Sequence, residues 1–133
     1  MENLHLSTVS ALSEQIKTRN LSPTEIVSCL LDRSDRFNDR LQVWETLDKN
    51  IPLRQANIRE KEIANGNYIG PLDGIPIGIK DIYFTTDIIT TCGSPIFKNF
   101  IPSYDASAVT SLKQNGSVIM GKTITTQFAC GDP

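Results

Sequence analysis

Between Gly70 and Asp81 the chain reads Gly-Pro-Leu-Asp-Gly-Ile-Pro-Ile-Gly-Ile-Lys-Asp, and this segment limits the fold more than any other. Loop residues give way to a strand in which Ile75, Ile77 and Ile79 alternate with Pro76, Gly78 and Lys80. A period of two puts the three isoleucines on one face, against a core. The opposite face carries a compact proline, a glycine without a side chain, and Lys80 at the strand's end. That face leaves room for another group to approach the lysine.

The flanking sequence predicts how this strand is covered. A first helix is predicted over Ser7 to Asn20, with Val9, Leu12 and Ile16 on one face. A second begins at Ser22, where a capping serine, Pro23 in the first turn and Glu25 three residues on make a capping box. Its apolar face is Ile26, Val27, Leu30, Leu31 and Phe37, with Cys29 within it. A short strand is predicted in Gln42 to Leu47, and a third helix over Pro52 to Ala64, stopped by Asn65-Gly66. That helix bears Arg54, Arg59, Glu60, Lys61 and Glu62 as a solvated face. After a Thr-, Gly-, Pro- and Ser-rich stretch, Asp105 is expected to cap a helix with Ala108, Val109 and Leu112 inward, ended by Asn115-Gly116. Ser117 to Met120 reads as a strand. Strand, loop, helix, strand in the second half is the pattern of an α/β fold: N-terminal helices over residues 1–69, then part of a mixed, helix-covered sheet over residues 70–133.

With 133 residues, one domain with a buried core is feasible. A net charge of −2 without a basic run argues against nucleic acid as a direct partner. Apolar runs are short and interrupted, so no membrane helix is expected. Met1 to Leu6 contain Glu2 and His5 and lack an apolar leader core, so no secretory signal is expected. Cys29, Cys92 and Cys130 are odd in number, far apart and without a CxxC pair. That pattern predicts a reduced, cytoplasmic chain with no zinc site.

Lys80 is the candidate catalytic residue. The crevice at strand carboxyl ends is the usual ligand site of open α/β sheets. An ammonium partly removed from water there is disfavoured as an ion, and a neutral lysine serves as a general base. The same pattern also describes a surface lysine with Asp81 as a neighbour. Gly116 to Thr123 fits the phosphate-loop pattern GxxxxGK[ST]. Its middle four residues favour a strand, and a helix precedes it where a phosphate loop needs one after it. A Ser-His triad is excluded in practice, because His5 is the only histidine. Ser94 lacks a GxSxG elbow and reads as part of a loop over the site. A non-catalytic module pairing through an unfinished sheet edge is a further alternative.

The Gly70–Asp81 segment resembles the opening motif of the amidase signature family. The likeness continues in order through Thr90-Thr91-Cys92-Gly93-Ser94-Pro95, Tyr104-Asp105-Ala106, Gly116 to Thr123 and Phe128-Ala129. It implies a hydrolase cleaving a carboxamide C–N bond by a Ser-cisSer-Lys triad, without cofactor or metal, on a small-molecule amide. It leaves a homo-oligomer open. The residue matching the family lysine is Lys80. The resemblance implies that both serines lie in a Gly-Ser-rich segment beyond Phe128-Ala129, and no Gly-Gly-Ser-Ser-Gly stretch occurs in the sequence. The chain is therefore expected to be the N-terminal portion of one such domain, truncated and inactive alone. Ile124 stands where the family often has Asn, and Gln127 where it often has Glu. Thr91-Cys92 and Tyr104-Asp105-Ala106 suit the family's amidotransferase member, which supplies ammonia for glutaminyl-tRNA; Thr125-Thr126-Gln127 suits a general amidase, which is the favoured expectation.

Overall fold

The computed structural model describes residues 4–131. The leader expectation for Met1 to Leu6 thus falls partly on residues 1–3, outside the described ones. A short 3-10 turn, Leu4–Leu6, is followed by α1 (Val9–Lys17), α2 (Pro23–Leu41), β1 (Trp44–Thr46), α3 (Asn50–Ala64), β2 (Pro76–Lys80), α4 (Ser107–Gln114) and β3 (Val118–Thr123). No described helix is long and apolar enough to cross a membrane.

The expected capping box forms. The Ser22 backbone N–H donates to Glu25 Oε2 at 2.8 Å, and the Glu25 N–H donates to Ser22 Oγ at 3.2 Å. At the other end of α2, Gln42 turns left-handed with φ 48°. Asn38 Oδ1 accepts the N–H groups of Val43 and Trp44 at 2.9 and 3.1 Å, which aims the chain into β1.

The sheet has the order β1-β3-β2, with β2 parallel and β1 antiparallel to the central β3. Ile77 faces Ile119 while Gly78 faces Gly121, so Met120 is an extra residue in β3. Gly121 is required at this crossing: a Cβ there would lie 2.5 Å from the Thr46 carbonyl oxygen. β3 is buried on both faces because helices cover both. Val118 and Met120 pack with Val27, Leu31 and Ala56 of α2 and α3. Ile119 packs with Ile79, Ile88 and Val109, on the α4 side. A third cluster joins Leu12, Ile16, Ile26, Ile63 and Ile75.

Four expectations are corrected. Val9 is 50% exposed, because α1 begins there and only Leu12 and Ile16 reach the core. Ala108 is also exposed; in α4 only Val109 is buried, with Leu112 half-buried against the core. Asp105 does not cap α4. The cap position is Ala106, without a side-chain bond, and Asp105 instead accepts from Thr86 and Lys113. Arg59 is not simply solvated: its Nε and Nη2 donate to the two carboxylate oxygens of buried Asp73 at 2.7 and 2.9 Å. This bidentate pair, completed by the Ile69 N–H on Asp73 Oδ2 at 3.0 Å, ties α3 to the loop that leads into β2.

Candidate active site

The parallel strands β2 and β3 end side by side, at Lys80 and Thr123. Two loops meet beyond those ends. The Asp81 N–H donates to the Thr123 carbonyl at 2.9 Å, which extends the ladder one residue. The Cys92 N–H donates to the Asp81 carbonyl at 3.0 Å, and the Phe128 N–H donates to the Cys92 carbonyl at 2.8 Å. Gln127 Nε2 donates to Ser94 Oγ at 3.1 Å. The loop after β2 is thus laced to the loop after β3.

Close approach dictates the residue types here. Gly93 has φ +66°, and a Cβ on it would lie 2.7 Å from the Thr125 carbonyl oxygen. Cys92, Phe128 and Ala129 also have left-handed φ, at 53°, 52° and 54°. Such values in residues with a side chain store strain that surrounding structure must hold.

The result is an open groove of about 760 Å³, lined by Lys80, Ile124, Thr125, Thr126, Gln127 and Ala129 to Gly131. Lys80 is exposed, so the partial desolvation expected of it is not present in this chain. Among the described residues it has no ion-pair partner; the ion pairs take up Lys17, Lys49, Arg59, Lys113 and Lys122. Ser94 is buried and serves as acceptor for Gln127, consistent with a shaping role. Thr125 Oγ1 is buried and has no hydrogen-bond partner among the described residues. A larger cleft of about 1000 Å³ lies along α2, but none of its lining residues belongs to β2, β3 or the loops after them.

Lys122 is not at a phosphate loop. It lies on β3 and is fully buried. Its Nζ donates to the Tyr83 carbonyl at 2.7 Å and to Thr90 Oγ1 at 2.6 Å, and faces Asp81 Oδ1 at 3.4 Å. Asp81 is equally buried. Its Oδ2 accepts from the N–H of Thr91 at 3.0 Å and from the Thr91 hydroxyl. Oδ1 has no hydrogen-bond partner among the described residues, so charge attraction, not a direct bond, joins it to the ammonium. Burial pulls the Lys122 ammonium below the ordinary lysine value, against the opposing pull of Asp81 and Cys92. Burial, with help from Asp81, pushes the Cys92 thiol up despite Lys122, which keeps the thiolate scarce and Cys92 a poor nucleophile. In the sequence Lys122 stands out only as part of a phosphate-loop pattern. The further signal for its role is its position in an otherwise apolar strand, where a buried lysine requires a carboxylate partner. No group of His, Cys, Asp and Glu among the described residues is arranged to hold a metal.

Comparison with known proteins agrees with this architecture. The family model described as Amidase matches residues 25–132. The A-type glutamyl-tRNA(Gln) amidotransferase subunit of Geobacter sp. (strain M21) is 40% identical over 124 residues, covering 93% of this chain and 25% of that protein. The subunit of the same name from Heliobacterium modesticaldum (strain ATCC 51547 / Ice1) is 41% identical over 128 residues, covering 96% and 26%. Among solved structures, native peptide amidase from Stenotrophomonas maltophilia matches with a TM-score of 0.84 at 30% identity, over 92% of this chain and 25% of that one. Fatty acid amide hydrolase matches with a TM-score of 0.85 at 25% identity, over 91% and 21%. The chain spans about a quarter of the length of the curated relatives it matches. With the family's model matched over most of the sequence, and the same fold in solved amidases, this chain belongs to the amidase family.

Proposed function

We propose that these residues form the lysine-bearing N-terminal portion of an amidase signature domain, and that Lys80 is the general base for hydrolysis of a small carboxamide. The observation that carries this reading is the contrast between two lysines at the same sheet end. Lys80 is exposed on a groove, whereas Lys122 is sealed in the protein by three partners. In the family mechanism the neutral lysine takes a proton from a bridging serine, which takes one from the nucleophilic serine. That oxygen attacks the amide carbonyl, the C–N bond breaks with a proton delivered to the leaving nitrogen, and water cleaves the acyl-enzyme. Both serines come from sequence outside these 133 residues. Packing of that segment over the groove would remove Lys80 from water and supply the missing desolvation. The test is Lys80→Ala in the full-length chain that carries the serine segment. Ammonia release from simple carboxamides falls by at least about 1,000-fold, as for loss of one member of a catalytic unit; activity near the parental level rejects the assignment.

A second reading is favoured by one observation. Identity to the two amidotransferase subunits, 40% and 41%, exceeds the 30% to peptide amidase. In that case the amide is glutamine and the ammonia passes to a second reaction on other subunits. Glutamine hydrolysis that rises on adding such subunits, with little turnover of simple carboxamides, selects this reading over a general amidase.

A further inference from the structure

We propose that Lys122 and Asp81 are positioning residues that hold Lys80 and, through the loop after β2, the 124–131 segment lining the groove in working geometry. This role rests on the reading of Lys80 as the base. It follows from connectivity. Asp81 directly follows Lys80, and its backbone continues the β2–β3 ladder through Thr123. Its carboxylate takes two hydrogen bonds from Thr91, and its carbonyl takes the Cys92 N–H. The loop after β2 therefore hangs from Asp81. The loop after β3, which lines the groove, hangs in turn from that first loop, through Phe128 on Cys92 and Gln127 on Ser94. Lys122 closes the circuit from beneath, binding both ends of the 83–90 loop, Tyr83 and Thr90, while it neutralises Asp81.

Stability alone gives little reason for such an arrangement. Two fully buried charges are costly to desolvate, and apolar residues of similar volume often serve stability as well or better. What the pair supplies is a fixed set of directions. Its bonds converge on backbone atoms at residues 83 and 91 and on the loop hydroxyls of Thr90 and Thr91. They brace positions with left-handed φ at Cys92 and Gly93 that would otherwise relax. A base must sit within hydrogen-bond reach of the proton it accepts, and a displacement of about 1 Å can cost 100-fold in rate.

The experiment uses the full-length chain that carries the serine segment, with a simple carboxamide as substrate and a fluorophosphonate as serine-directed probe. Lys122→Met removes the buried ammonium. Thr91→Val removes the hydroxyl that donates to Asp81 and accepts the Gly93 N–H at 3.0 Å, and changes no charge. For Lys122→Met, kcat falls about 100-fold while KM stays within about threefold. The probe still labels the parental fraction of molecules, but more slowly. For Thr91→Val the same pattern holds with a loss of at least about tenfold, since both the bond to the Asp81 carboxylate and the one from the Gly93 N–H are lost. A labelled fraction that falls in proportion to the rate means lost folding only, and overturns the proposal. So does parental kcat in Thr91→Val, which decides the matter alone if Lys122→Met does not fold. A Lys80→Ala control separates the two readings: if it is inactive while both variants turn over normally, Lys80 stands as the base and only the positioning role falls.

Discussion

Asp105 illustrates how a single residue's role depends on what folds against it. Sequence spacing makes it a helix cap; the structure makes it the acceptor for the Thr86 N–H at 2.8 Å, the Thr86 hydroxyl at 3.1 Å and Lys113 Nζ at 2.7 Å. Burial alone would raise its pKa, but the bonds from Lys113 and Thr86 outweigh burial and hold the carboxyl below the usual carboxylate value. The unfolded chain, with an ordinary pKa of about 3.9, therefore takes up the proton first as pH falls. Its stabilisation is fully present above that value and is lost as pH drops through the lower folded pKa. Urea unfolding between about pH 5 and pH 2 shows a falling stability, and Asp105→Asn removes part of that fall. Arg59 follows the same logic. Helical periodicity sets it in a run of charges, and nothing local distinguishes it from Lys61; only the return of the loop bearing Asp73, 14 residues on, pairs it.

The start of α2 is the most fully legible helix end, because its determinants are local, whereas α1, expected over Ser7 to Asn20, spans only Val9–Lys17. Ser22, Pro23 and Glu25 lie within one turn, and the box forms whatever packs nearby. Replacing Ser22 by Ala leaves the Glu25 N–H without its acceptor and costs about 1 kcal/mol, whereas Ser22→Gly costs only a few tenths; denaturation midpoints of the two variants rank in that order. Strand limits are less legible. The predicted strand at Gln42 to Leu47 shrinks to Trp44–Thr46, because Gln42 is spent on the left-handed end of α2. β3 runs on past Met120 to Thr123, because Lys122, polar by type, is accepted into the interior by a carboxylate from the neighbouring strand's end. The extra residue at Met120 is likewise a property of pairing: it exists only in relation to β2.

At the scale of the whole molecule, the groove holds a candidate base, Lys80. It holds no Gly-Ser-rich segment to supply a nucleophile. On the proposed reading, these 133 residues alone release no ammonia from carboxamides above the buffer rate; release above it means that a nucleophile lies within them. The helices, the capping box of α2, the alternating strand that ends in Lys80, and the family likeness are all legible without a structure. Each depends on residues a few positions apart, or on a motif read in order. Tertiary contacts were needed to expose Lys80 while sealing Lys122, to join both loops through Asp81, and to give Arg59 to Asp73. The physical reason is common to all three. Whether a charge is solvated, paired or buried depends on which distant segments close over it, and β3, threaded between β1 and β2 with helices on both faces, brings those segments together.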